Sequence, residues 1–195
     1  MSENIVLDAL TDAQSALTAL MENKACVAAI ARAGQMIASS QRQGGTVYSC
    51  GNGGSLCDAM HFAEEMTGRY RQNRAPYRAM AISDVSHMAC VGNDYGYEHV
   101  FSRWIEAHGR ENDVLLAITT SGTSRNVVAA AQVAKQKGVK VIALTGRDDT
   151  PITELADVAI VTPAGRWADR VQELHIKVIH ILIELIEREL DPQNY

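Results

Sequence analysis

Five short apolar runs, 46–50, 78–82, 114–118, 139–144 and 158–161, alternate with longer segments whose apolar residues recur at helical spacing. That alternation leaves few folds open. Strand followed by helix, repeated, builds right-handed crossovers and a parallel sheet covered on both faces. The intervening helical segments are 56–70, 85–91 with 97–107, 124–137 and 151–156. Ahead of the first strand, the stretch 7–43 has no Pro and carries Leu7, Leu10, Leu17, Leu20, Val27, Ile30, Ala31, Ile37 and Ala38 at the spacing of two helices. Gly44 and Gly45 end the second of them. The expected fold is therefore α/β: a three-layer sandwich around an open, five-stranded parallel sheet, plus two N-terminal helices. A length of 195 residues suits one domain, 1–195, with 1–43 as a helical extension.

The last segment, 167–190, is the most apolar helix, since within 176–186 only Lys177, His180 and Glu184 are polar. One sheet is not expected to cover it together with two N-terminal helices, so a subunit interface is its expected burial site and a homo-oligomer the expected state. Lys plus Arg is 18 against 23 for Asp plus Glu, a net charge of -5, which offers no basic field for nucleic acid. Any phosphate held here is small and locally recognised. The longest uncharged run, 43–57, is rich in Gly and Ser and too short to span a membrane. No Lys or Arg precedes Lys24, while Glu3, Asp8 and Asp12 stand where a signal peptide is basic, so the expected location is cytoplasmic. Cys26, Cys50, Cys57 and Cys90 form no CxxC pair and read as reduced thiols.

In open parallel sheets, ligands bind beyond the carboxyl ends of the strands. Two of the loops there carry anion-binding chemistry. Cys50-Gly51-Asn52-Gly53-Gly54-Ser55 leaves a strand and opens a helix, where glycines let backbone N–H groups approach an anion. It fits neither the dinucleotide nor the P-loop spacing, and reads equally as a structural turn. Thr119-Thr120-Ser121-Gly122-Thr123-Ser124 sets five hydroxyls and one Gly before a helix. Capping by Ser124 or Thr123 uses one or two of them, so the surplus points to a phosphate cradle without fixed positive charge. In the helix after the Gly-rich loop, His61 and Glu65 stand at i and i+4, about 40° apart on one face, while Glu64 points to the neighbouring side. The pair fits a metal site, an acid/base pair or an exposed ion pair. On the final helix Gln172 and His180 are two turns apart in one row, with His175 as a possible substitute. His180 also falls in a polar stripe with Lys177 and Glu184, so it reads equally as solvated. Asn93 and Asp94 stand in the turn-rich stretch Gly92-Asn93-Asp94-Tyr95-Gly96, where Asp is also a common cap.

Taken together, Ser49-Cys50-Gly51-Asn52-Gly53-Gly54-Ser55, His61-Phe62-Ala63-Glu64-Glu65, Gly92-Asn93-Asp94, Thr120-Ser121-Gly122 and the run from Gln172 to His180 closely resemble one family. It is the sedoheptulose 7-phosphate isomerase branch of the sugar isomerase (SIS) domain family, and the likeness runs over essentially the whole chain. The resemblance implies a flavodoxin-like SIS fold and an aldose–ketose isomerase making D-glycero-D-manno-heptose 7-phosphate, the first step of ADP-heptose synthesis for lipopolysaccharide core. It implies a homotetramer with shared active sites and one zinc ion per subunit, held by His61, Glu65, Gln172 and His180. It places Glu65 as base and His180 as acid, and substrate contacts at Asn52, Gly53, Gly54, Ser55, Glu65, Asn93, Asp94, Thr119, Thr120, Ser121, Ser124 and Gln172. Asp169, one turn before Gln172, is assigned to ring opening. Position 119 is Thr where relatives often carry Ser, which keeps the hydroxyl and adds a methyl. The rival from another class is a non-catalytic SIS phosphosugar sensor or replication-initiation partner, and a third option is an isomerase of another phosphosugar. Both rivals share the phosphate loops, and the acid/base set favours the enzyme.

Overall fold

The computed structural model describes residues 2–163, 165 and 167–195. Two helices, α1 (Ser2–Glu22) and α2 (Lys24–Arg42), precede strand β1 (Val47–Cys50). They are separated at Asn23, whose side chain accepts from the Cys26 N–H and caps α2. After β1 come α3 (Gly54–Thr67), β2 (Ala79–Ala81), α4 (Val85–Asp94), a 3₁₀ turn (Tyr97–His99) and α5 (Ser102–His108). Then follow β3 (Val114–Thr119), α6 (Arg125–Gln136), β4 (Lys140–Thr145), α7 (Pro151–Leu155), β5 (Val158–Val161), α8 (Ala168–Leu190) and a closing 3₁₀ turn (Pro192–Asn194).

All five strands pair in parallel, in the order β2-β1-β3-β4-β5. This is the flavodoxin-like order, and its chain direction reverses between β1 and β3. Side chains alternate across the sheet with the period of two that a strand imposes. Along β3, Val114, Leu116 and Ile118 join the core under α2, α3 and α8, while Leu115 and Ala117 join the core under α5, α6 and α7. The expected three-layer sandwich is the observed one.

The last helix is buried differently from the sequence expectation. Val178, Ile179, Leu182, Ile183 and Ile186 are fully covered within the single subunit, in one cluster with α2, α3 and the sheet. The expectation counted the sheet alone as cover, whereas α2 and α3 flank α8 and close over it. Among the described residues the largest group of exposed apolar side chains lies on α1, where Leu20 is the one buried residue and Ile5, Val6, Leu7 and Leu10 are each at least 58% exposed. Any argument for self-association therefore moves from α8 to α1. No described helix is long and apolar enough to cross a membrane, and all four cysteines are free.

Candidate functional site

The switch point between β1 and β3 opens the crevice in which such sheets bind ligands. β1 delivers the chain into Asn52, Gly53 and Gly54, with Gly53 at φ +54 as the N-cap of α3. A side chain resists that backbone conformation, so the loop needs its glycine. β3 delivers the hydroxyl loop. Gly122 there has φ +72, and a Cβ on it would sit 2.4 Å from Thr150 Oγ1, so both backbone and space demand glycine. Ser124 is the N-cap of α6 but makes no side-chain cap bond. Its hydroxyl lies 3.0 Å from that of buried Thr119, which is also 3.4 Å from that of Ser121. The hydroxyls thus form a cluster rather than an ordinary cap.

A cavity of about 520 Å³ is lined by Asn52, Gly54, Ser55, Cys57, Thr120, Ala168, Asp169 and Gln172. It gathers six of the expected substrate residues from three separate segments. An adjoining cavity of about 260 Å³ is shared by Thr120, Ser121, Gly146, Arg147 and Trp167. The hydroxyl loop itself has no cation, but Arg147, from the loop after β4, brings one to this neighbouring space. Sequence reasoning passed over Arg147 because nothing in its local run marks it.

At the other end of the crevice, α3 and α8 pack side by side and bring together residues 119 apart in sequence: His61 Nε2 is 2.9 Å from His180 Nε2. Glu65 Oε1 lies 3.6 Å from His61 Nε2, and the ligand atoms of all three residues fall within 4.8 Å of one another. Around a tetrahedral ion with nitrogen bonds of about 2.1 Å, two nitrogens stand roughly 3.4 Å apart. The two imidazoles and the carboxylate are close to that spacing, so this group can hold a metal. Glu64, on the neighbouring side of the helix and largely exposed, places Oε1 3.2 Å from His61 Nδ1. A carboxylate on the far nitrogen fixes the tautomer that leaves Nε2 free as a ligand. Burial followed by the Glu64 charge raises the Glu65 pKa, as suits a base. Burial first, then His61, Lys177 and Arg71, lowers that of His180, which favours the neutral imidazole a metal or a proton relay needs. Tyr70 stacks on the His180 ring, with centroids 5.9 Å apart.

Gln172 Nε2 donates to Asp58 Oδ1 at 2.7 Å, which commits the amide nitrogen and leaves the Gln172 oxygen as its ligand atom. Asp58 is 2% exposed and its second oxygen, Oδ2, is buried without a hydrogen-bond partner. Burial pushes its pKa up to about 6, against the opposing Gln172 hydrogen bond and the charge of nearby His61. An orphaned buried carboxylate oxygen beside the cluster is a further mark of a site built for more than the side chains present. The sequence signal for Asp58 was its place at i−3 from His61, on the same face of α3.

Behind Glu65, Arg74 donates to the backbone oxygens of Glu65 (2.7 Å) and Met66 (3.0 Å) and to Glu187 Oε1 (2.6 Å). Both side chains of the Arg74–Glu187 pair are wholly buried. The pair fixes the last turn of α3, and with it Glu65, against α8.

Not every expected residue converges. Asn93 and Asp94 lie exposed in the last turn of α4, where Asn93 Nδ2 donates to Asp94 Oδ1. They do not line either cavity within one subunit. His175 is fully buried beneath the crevice and does not substitute for His180.

A parallel sheet with an anion cradle at its switch point and an acid–base cluster beside it is the architecture of the sugar isomerase (SIS) class, and the family model described as an SIS domain matches residues 10–146. The phosphoheptose isomerase of Enterobacter sp. (strain 638) is 56% identical over 190 residues, 97% of this chain and 99% of that protein. Solved phosphoheptose isomerases superpose closely: that of Neisseria gonorrhoeae with a TM-score of 0.89 at 36% identity, and that of Francisella tularensis with 0.90 at 31%. Each covers 96% of this chain and 99% of its own. The chain belongs to the SIS domain family and, within it, to the phosphoheptose isomerases.

Proposed function

We propose that this enzyme converts the ketose sedoheptulose 7-phosphate into the aldose D-glycero-D-manno-heptose 7-phosphate, through proton transfer between C1 and C2. The observation that carries the reading is the convergence of His61, Glu65 and His180 from α3 and α8 beside the cavity holding Asn52, Thr120 and Gln172. The 7-phosphate docks on Thr119, Thr120, Ser121 and Ser124 and the open N–H groups of α6, where hydroxyls and helix dipole receive the dianion. Asn52, Gly53, Gly54 and Ser55 border the sugar, and Asp169 stands at the cavity rim to assist ring opening. Asn93 and Asp94, exposed on α4, fit a contact made across a subunit boundary.

With the chain open, Glu65 takes a proton from C1 and an enediolate forms, whose C2 oxygen takes a proton from His180. Glu65 then returns its proton to C2 while His180 takes back the proton of the C1 hydroxyl, so the carbonyl stands at C1 and both groups are restored. His61, Glu65, Gln172 and His180 are the residues that would hold a zinc ion, and Asp58 and Glu64 orient two of them. Zinc, when bound there, would supply Lewis-acid stabilisation of the enediolate charge. Ligation would make Glu65 a weaker base, whereas burial and the Glu64 charge act in the opposite direction.

The assembly in this reading is a homotetramer in the cytoplasm, with 1–195 acting as one SIS domain and 1–43 as its extension. The exposed apolar face of α1 supports self-association. The intact acid–base set disfavours the reading as a non-catalytic phosphosugar sensor. Incubation with sedoheptulose 7-phosphate, followed by NMR, is expected to show the aldose; no product from metal-replete protein overturns the proposal. Chelation is expected to lower turnover about 10²-fold, with zinc restoring it, and full activity in protein shown metal-free by elemental analysis removes zinc from the reaction.

A further inference from the structure

Two side-chain amides face each other at the floor of the crevice. Asn52 Nδ2 donates to Asn126 Oδ1 at 2.9 Å, and Asn126 Nδ2 donates to Asn52 Oδ1 at 2.8 Å. Asn126 Oδ1 also accepts from the Val127 N–H at 3.0 Å, and the Tyr97 hydroxyl donates to Asn52 Oδ1 at 3.2 Å. Both oxygens therefore have both lone pairs engaged, and each nitrogen keeps one N–H. The Val127 N–H can only donate, so it fixes which end of the Asn126 amide is oxygen, and Asn52 follows. Asn126 is 4% exposed, so its half of the pair is shielded from competing water, while half-buried Asn52 borders the cavity.

The position of the pair gives it a function. Asn52 belongs to the Gly-rich loop after β1, and Asn126 to the first turn of α6, directly after the hydroxyl loop of β3. Beyond those neighbouring strands the chain leaves in opposite directions across the sheet, so the reciprocal bonds cross the switch point itself. A sugar phosphate lying along the crevice touches one loop with its phosphate and the other with its body. Its affinity depends on their separation being held. We infer that Asn126 is a positioning residue for the substrate: a crossbar that locks the Gly-rich loop to the N-terminus of α6 and sets the span between sugar and phosphate subsites. The inference rests on the sugar-phosphate reading above. It also recasts Asn52, whose side chain acts chiefly through Asn126.

The test uses the full-length, metal-loaded enzyme with Asn126→Ala, Asn126→Ser, Asn52→Ala and the Asn52→Ala/Asn126→Ala double variant. Serine retains a hydroxyl that can accept from the helix N-terminus but cannot form the reciprocal pair, so it separates loss of the crossbar from loss of a local helix contact. The Ser variant is expected to raise KM for sedoheptulose 7-phosphate at least fivefold, with kcat and bound metal within twofold of the parent. The double variant is expected to have a KM within about twofold of the larger single effect, as for two groups acting as one unit. Inorganic phosphate binding, measured by calorimetry, is expected to weaken at least threefold in the Ser variant. Unchanged KM and phosphate affinity in that variant, or KM effects that multiply in the double variant, overturn the crossbar. A parent that does not turn over sedoheptulose 7-phosphate defeats the proposed reaction instead, and the phosphate titration then decides the crossbar alone, a parent that binds no phosphate overturning it.

Discussion

The two ends of the crevice are built on opposite plans. The end proposed to take the phosphate is made of backbone and short hydroxyl side chains on loops leaving adjacent strands, so the sheet register positions it, with Cys50 opposite Ala117 and both loops starting within two residues of that pair. The reacting end is made of long side chains on α3 and α8, and it exists because these helices pack together and Arg74 with Glu187 pins them. The difference follows from the tasks. A bound phosphate needs a fixed concave set of donors, whereas acid–base chemistry needs groups whose burial and neighbours tune their protonation. Affinity should therefore reside at one end and turnover at the other.

The strongest way to break that division is Glu65→Gln, which keeps the shape and removes the base. We expect kcat to fall about 10³-fold, within the range for losing a general base, with KM within threefold of the parent. Steady-state kinetics on folded variant checks this, and a KM-dominated effect would place Glu65 in binding rather than proton transfer. The next effect sharpens the dependence of the reacting end on α8. His175 is sealed under the crevice with neither ring nitrogen well bonded, and burial, only partly opposed by the Thr145 backbone, lowers its pKa from 6.5 to about 4. Between those values the unfolded chain binds the proton and the folded one does not, so stability falls as pH drops from 6.5 towards 4. The shift corresponds to about 3 kcal/mol when complete. Urea unfolding across that window should show the parent losing this amount relative to His175→Met; parallel curves would mean that the imidazole is not held neutral.

The same division explains what could be read from the sequence. The strands and both loops of the phosphate end were legible because short continuous apolar runs and the glycine and hydroxyl motifs are local signals. His61 with Glu65 was visible as an i,i+4 pair, but its meeting with His180 depends on how α3 lies against α8, which no local pattern encodes. Asp58 went unseen because an aspartate within an amphipathic helix ordinarily reads as solvent-facing. Arg74 was invisible for the converse reason: its loop shows no periodicity, and its value comes from two carbonyls and a glutamate that only the fold brings near. Helix α4 runs on through Gly92 and Asn93, both weak helix formers, because Asp84 caps its start and the Tyr95 N–H closes its last turn on the Val91 oxygen. A propensity reading stops at Val91 and mistakes that turn for a loop.

The smallest effect sharpens the phosphate end. The Ser124 hydroxyl makes no helix cap bond and lies 3.0 Å from Thr119 Oγ1, which also has Ser121 at 3.4 Å. Removing it by Ser124→Ala should therefore leave stability within about 0.5 kcal/mol of the parent, because no cap is lost and Thr119 keeps a partner. One hydrogen bond to the phosphate is lost, about 1 kcal/mol, so KM should rise roughly fivefold while kcat stays within twofold. Thermal unfolding and steady-state kinetics on the same preparation separate the two quantities. If kcat falls while KM holds, this hydroxyl is strengthening its contact in the transition state, and binding energy from the phosphate is being used to align C1 with Glu65. The two ends would then be coupled through the substrate itself rather than dividing affinity from turnover.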